Sequence, residues 1–245
     1  MISFFRRVRQ NLLSTNKSGK YLKYAIGEIA LVMIGILLAL QVNNWNELRK
    51  EQQLQKRYLS ELLLDLQTDS IAISGFLKDS DTQWKYKQNL ITFFNNEIDY
   101  AKDSIDLFFN TQWQATYSFN PITTTLDEMK STGNIKVIKN PDVRRQILET
   151  YNNYHVFING HQAIYNQQQE ETWKLFFATI PDLYTGSSEQ LNNADVKAAL
   201  ERFEVRNRIF GNYVKGLNSA LIQLQTWNTE LITAIKSEMR RLGYD

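Results

Sequence analysis

The chain has no cysteine, two histidines and three prolines among its 245 residues. Without cysteine there is no disulfide, thiolate zinc site, iron–sulfur ligation or thiol nucleophile. Two histidines are too few for a histidine-rich metal centre. Glycine is sparse as well, at 10 residues. A chain so poor in turn signals reads neither as a loop-rich all-β fold nor as a disordered one. Charge of one sign is missing too: 28 Lys+Arg against 26 Asp+Glu leave a net +2. Proteins that hold phosphate backbones concentrate an excess of base, so this balance argues against nucleic acid as a partner.

Catalytic signatures are missing in the same way. No G-x-S-x-G, phosphate loop, dinucleotide fingerprint, H-E-x-x-H or E-x-x-H occurs. His155 and His161 stand six apart, largely on different faces of one expected helix. Asp127, Glu128, Glu149 and the pair Glu170-Glu171 read as solvated helix faces, since paired-carboxylate chemistry needs a defined cleft. The expectation is a non-enzymatic chain that uses no metal or cofactor.

What the chain does have is one long apolar run. Residues 24–42 carry a single charge, Glu28, near the N-terminal edge. About 18 helical residues rise roughly 27 Å, close to the hydrocarbon thickness of a bilayer. Before the run, Arg6, Arg7, Arg9, Lys17, Lys20 and Lys23 stand with no acidic residue among residues 1–23; after it, Glu47 to Glu51 mixes both signs. The positive-inside rule puts the N-terminus in the cytoplasm. Ala39-Leu40-Gln41 makes a poor cleavage site, so the run reads as an uncleaved signal-anchor. The six basic residues are expected to touch the inner leaflet, and Trp45 to anchor at the far interface. Gly27, Gly35 and Ala39 offer small surfaces where a partner helix can approach, with Glu28 as a second contact candidate.

The rest of the chain follows helical periods. Leu59, Leu62, Leu66, Ile73 and Phe76 keep a 3-4 spacing, and Leu77, Trp84, Ile91, Phe94 and Ile98 continue one step out of phase, with an interruption expected near Gly75. Asn120-Pro121 and Asn140-Pro141 read as helix starts, Ser131 to Asn134 as a helix stop, and Ile135 to Ile138 as a short β-like or irregular connector. From Val196 to Leu242 a seven-residue repeat runs without a slip, a seam roughly 70 Å long. Asn207, Phe210, Leu217, Leu221, Leu224 and Asn228 are its central members, within the chain or between chains. Trp113, Tyr117, Tyr151, Tyr154 and Trp173 form an aromatic group that either walls a pocket or fills a core.

The block YAIGEIALVMIGILLALQVNNWNE at residues 24–47 resembles the N-terminal hallmark of an uncharacterised family of single-pass membrane proteins of Bacteroidota. FFRRVRQNLLSTNK before it and TLDEMKSTGNIKVIKNPDVRRQILETYNNY at residues 125–154 are similar too. The resemblance implies a Gram-negative inner membrane, with the larger part in the periplasm, and carries no activity.

The expected architecture is therefore all-α: a basic cytoplasmic segment (1–23), a transmembrane helix (24–42) and a periplasmic antiparallel helical bundle (43–245) with long coiled-coil-like helices. The leading expectation for function is a scaffold or accessory subunit of a membrane assembly. Its partners would be the lipid bilayer and either further copies of the chain or another membrane protein. The alternatives are a periplasmic ligand-sensing module that signals through a partner, and an oligomeric ion or proton conduit around Glu28.

Overall fold

The chain's prolines fall at 121, 141 and 181, so nothing breaks the backbone hydrogen-bond ladder before residue 121. In the computed structural model one helix, α1 (Ser18–Phe94), uses that freedom. The structure describes residues 18–95, 116–179, 194, 198–199 and 201–244, with side chains from Leu22 onward. Among them, every regular element is helical. After α1 come α2 (Thr124–Ser131), a 3₁₀ turn (Asn134–Val137), α3 (Pro141–Phe157), a π-turn (Ile158–Gln162), α4 (Ala163–Thr179), α5 (Phe203–Phe210) and α6 (Val214–Leu242). The chain divides into two compact units, 1–55 and 56–245.

In the first unit, α1 is long and apolar enough to cross a membrane, and its apolar stretch is unburied. In the second unit three long helices share a core. Hydrogen bonds set their directions. Asn228 of α6 meets Leu66 of α1, Asn218 meets Ser80, and Lys87 meets Asn212, so α1 and α6 are antiparallel. Asn140 with Glu238 and Tyr154 with Asn228 make α3 antiparallel to α6 as well. The result is an all-α bundle.

The buried stripe of α1 differs from the hydrophobic pattern. Leu59, Leu62, Leu66, Asp69, Ile73, Ser80, Gln83, Lys87 and Leu90 are buried. These positions keep one alternation of three and four, with half-buried Phe76 bridging Ile73 to Ser80. The expected phase step at Leu77 and Trp84 does not occur, because polar residues carry the stripe through the middle of the helix. No interruption occurs at Gly75 either. It lies exposed in α1 with nothing near its Cβ position, where glycine costs only about 1 kcal/mol relative to alanine.

Other boundaries moved for identifiable reasons. Asn120-Pro121 starts no helix: residues 116–123 have no regular secondary structure, and α2 begins after Thr123. The Asn120 side chain instead donates to the Ser118 carbonyl and hydroxyl. Gly133 sits at φ 73 and ends the α2 turn, as a left-handed glycine does. The connector after it is 3₁₀ rather than β-like.

Asn140 does cap α3. Its Oδ1 accepts from the Asp142 and Val143 amides, Pro141 takes the first helical position, and its Nδ2 donates to Glu238 Oε2 at 2.9 Å. Asn140→Ala removes the cap and a tie to α6 together. A stability loss of about 1–2 kcal/mol is expected in thermal unfolding, with Asn140→Asp recovering the cap but not the tie.

The C-terminal seam is shorter than the repeat suggests. Val214, Leu217, Leu221, Leu224, Asn228, Leu231, Ile235 and Glu238 are buried along α6. Upstream, Phe203 and Asn207 are exposed, Phe210 is half-buried, and Val205 and Ile209 face the core instead. Gly211 to Tyr213 breaks the helix between them. The seam from Val214 onward is filled by the chain's own α1 and α3. Val196 and Leu200 lie outside the described residues.

Candidate functional site

In the first unit the contact candidates lie on one unburied helix. Glu28, Gly35 and Ala39 are exposed, nothing lies near the Cβ positions of Gly27 and Gly35, and Trp45 is 63% exposed. Leu31, Val32, Leu37, Leu38 and Leu40 are exposed around every side of the helix. Lys23 is exposed as well. Arg6, Arg7, Arg9 and Lys17 lie outside the described residues, as does the side chain of Lys20.

In the second unit the aromatic group fills a core rather than walling a pocket. Tyr117, Tyr151 and Tyr154 are buried, alongside Phe119 and Tyr165. Their rings meet edge-on: Tyr117 with Tyr165 at 5.1 Å, Tyr151 with Tyr154 at 5.5 Å, and Phe119 with Tyr154 at 5.4 Å. Burial pushes the phenols of Tyr117, Tyr151, Tyr154 and Tyr165 well above the usual tyrosine range. Trp173 stands apart, stacked on Phe177 at 5.0 Å and packed with Phe210 against a second cluster around Phe93 and Phe176. Trp113 lies outside the described residues.

A buried polar array crosses the first core, and sequence patterning missed it. The irregular segment 117–122 brings backbone groups inside the bundle, where each needs a partner. Side chains supply them. Asn166 accepts from the Tyr117 amide and donates to its carbonyl; Gln162 accepts from the Phe119 amide at 2.8 Å. Asp69 Oδ1 accepts from the Ile122 amide at 3.1 Å, and the Tyr151 hydroxyl donates to the Ile122 carbonyl. The π-turn contributes here: one extra residue in the helix re-aims Gln162 into the core, where it is buried. Asp69 Oδ2 has no hydrogen-bond partner among the described residues. Burial pushes its carboxyl up to about 6, with the Asp65 charge adding and the Ile122 amide opposing.

The break between α5 and α6 is the other hub. Lys87 donates to the Asn212 carbonyl and side-chain oxygens, Gln168 accepts from the Tyr213 amide, and His161 Nδ1 lies 2.8 Å from the Tyr213 hydroxyl. Burial lowers the Lys87 ammonium below the usual lysine range. Two clefts flank this turn. One, of about 350 Å³, involves Glu204, Asn207 and Arg208, with Arg208 paired to Glu171 at 2.8 Å. The other, of about 380 Å³, lies between α3 and α6 and is bordered by Phe157, His161, Tyr213 and Trp227.

His155 bonds only its helix neighbour Asn159, at 2.8 Å, among the contacts described. No cluster of three potential metal ligands occurs among the described residues. Comparison with curated proteins finds no match, and neither does comparison with solved structures. A family of unknown function, DUF6090, matches residues 28–201, more than half of the chain and reaching from the apolar stretch of α1 through the core of the bundle; the chain belongs to that family.

Proposed function

We propose that the chain is a single-pass membrane protein whose helical bundle acts, without catalysis, as a scaffold or accessory subunit of a membrane assembly. The observation that carries this reading is the contrast between the two units. The second has a packed interior of Leu, Tyr and Phe, whereas the apolar stretch of α1 is uncovered on all sides. In water such a surface is strongly unfavourable at about 25 cal/mol per Å², and a bilayer is the solvent that suits it. The basic flank of residues 1–23 favours a cytoplasmic N-terminus, and the N-terminal block favours a Gram-negative inner membrane with the bundle in the periplasm.

The α6 seam does not help assembly. Leu217, Leu221, Leu224 and Asn228 are used up inside the bundle. A partner, whether a second copy or another membrane protein, would meet the membrane helix around Gly27, Glu28, Gly35 and Ala39 or the outer faces of the bundle.

Because the native chain has no cysteine, topology can be read cleanly from single substitutions. Ser131→Cys should react with a membrane-impermeant maleimide on intact spheroplasts, and Ser14→Cys only after lysis. The reverse pattern would overturn the orientation. For the accessory role, mild extraction of the tagged chain from native membranes should bring a second protein in fixed stoichiometry. A bare monomer retained through that extraction would count against it.

A further inference from the structure

We propose that the cleft between α3 and α6 is a binding site for a neutral, planar aromatic molecule of one or two rings that carries hydrogen-bonding groups on its rim. This goes beyond the anchoring role and does not depend on it. The volume, about 380 Å³, lies within the usual range of small-molecule sites. From α6 the lining takes Gly216 and Ala220, whose small size leaves space in it. With Tyr213 placed as it is, position 216 has no room for a side chain: a Cβ there would come within 2.4 Å of the Tyr213 ring and push it aside. That close approach lets Tyr213 lie flat and form a wall.

The wall is a row of rings. Phe157 and His161 lie 6.1 Å apart at 28°, and His161 and Tyr213 lie near-coplanar, 6.0 Å apart at 11°, edge to edge through their hydrogen bond. The His161–Tyr213 hydrogen bond holds the last two rings in line. A flat aromatic guest can lie along this row, with Trp227 bordering the same cleft. Among the described residues the lining contains no Asp, Glu, Lys or Arg. A charged guest would lose hydration with nothing to pair with, which selects for a neutral one. Asn153 and Gln223 supply amide donors and acceptors for the guest's rim. Val156, 56% exposed at the lip, is apolar surface that a bound ring would cover. The cleft beyond the α5–α6 turn offers the opposite chemistry, with Glu204 and Arg208 in its lining.

The test uses the full chain in nanodiscs and 5-fluoroindole as the probe, followed by fluorine NMR. The probe signal should broaden beyond its broadening with empty nanodiscs. Ala220→Phe and Ser219→Phe, the second at an exposed position, each put a ring into the cleft from its lining; each should remove the excess broadening while the melting temperature holds. If one variant unfolds, the other decides. Unlabelled indole should displace the probe, and indole-3-acetate should do so about tenfold less well, since its carboxylate finds no partner. Broadening no greater than with empty nanodiscs, or equal in the native chain and both filled variants, overturns the site. Displacement by the anion as good as by indole overturns the neutral class.

Discussion

Asp69→Asn is expected to raise the melting temperature of the detergent-solubilised chain at pH 7.5 and to flatten its pH dependence between about pH 4 and pH 6. Asp69 is 2% exposed, and one carboxylate oxygen has no partner among the described residues. Its folded-state pKa, about 6, stands above the ordinary value of 3.8. The folded bundle thus holds this proton more tightly than the unfolded chain. Protonation-linked stability is complete below the ordinary value, falls as pH rises, and is gone once pH passes the folded-state value. A shift of this size corresponds to on the order of 3 kcal/mol at neutral pH. Asparagine keeps the oxygen that accepts from the Ile122 amide and removes the charge. Its own amide group then needs an acceptor, which offsets about 1 kcal/mol, so a net gain of about 1–2 kcal/mol is expected. Thermal melts from pH 4 to pH 8 decide the matter: an unchanged slope in Asp69→Asn would show that this carboxyl does not govern it.

The largest loss is expected at the centre of α6. Asn228 is fully buried at a seam position, and its Nδ2 donates to the Leu66 carbonyl at 2.9 Å and to the Tyr154 hydroxyl at 2.7 Å. Asn228→Asp keeps size and shape but sets a carboxylate oxygen against a carbonyl oxygen. It also puts a second buried acid near Tyr154, whose phenol already feels the charge of Asp69. A loss of about 3–5 kcal/mol follows, the cost of an uncompensated buried charge. Asn228→Leu removes the hydrogen bonds without adding charge, and about 1–2 kcal/mol is expected, mostly from the Tyr154 hydroxyl left unpaired. Chemical denaturation at neutral pH should separate the two variants clearly. Lowering the pH should narrow the gap as the new acid protonates. Equal losses would mean that Asn228 acts by shape alone.

Both predictions concern polar residues inside an apolar pattern, and this is where sequence reading ran short. The positions of α1 that face the core are spaced as a bundle helix requires, yet Asp69, Ser80, Gln83 and Lys87 occupy four of them. Counting apolar residues alone therefore shifts the phase onto Leu77 and Trp84. The same blindness hid the break at Gly211. The repeat of apolar residues continues across it, while the backbone turns because Lys87, Gln168 and His161 supply partners for Asn212 and Tyr213. Nor could spacing show that Tyr117 and Tyr154 close a core, or that the space lies beside Tyr213 and Gly216.

What sequence alone determined is what depends on local chemistry. The absence of cysteine and of catalytic signatures, the apolar run of residues 24–42, the helical class and the capped start at Asn140 all follow from which residues neighbour which along the chain. Tertiary structure decided everything that depends on partners distant in sequence: that the α6 seam closes within the chain, that segment 117–122 runs without regular secondary structure, and that Asp69 loses its water. The physical reason is desolvation. A backbone amide or a carboxylate takes its conformation and its charge from whatever replaces water around it, and those replacements come from helices far apart in the sequence.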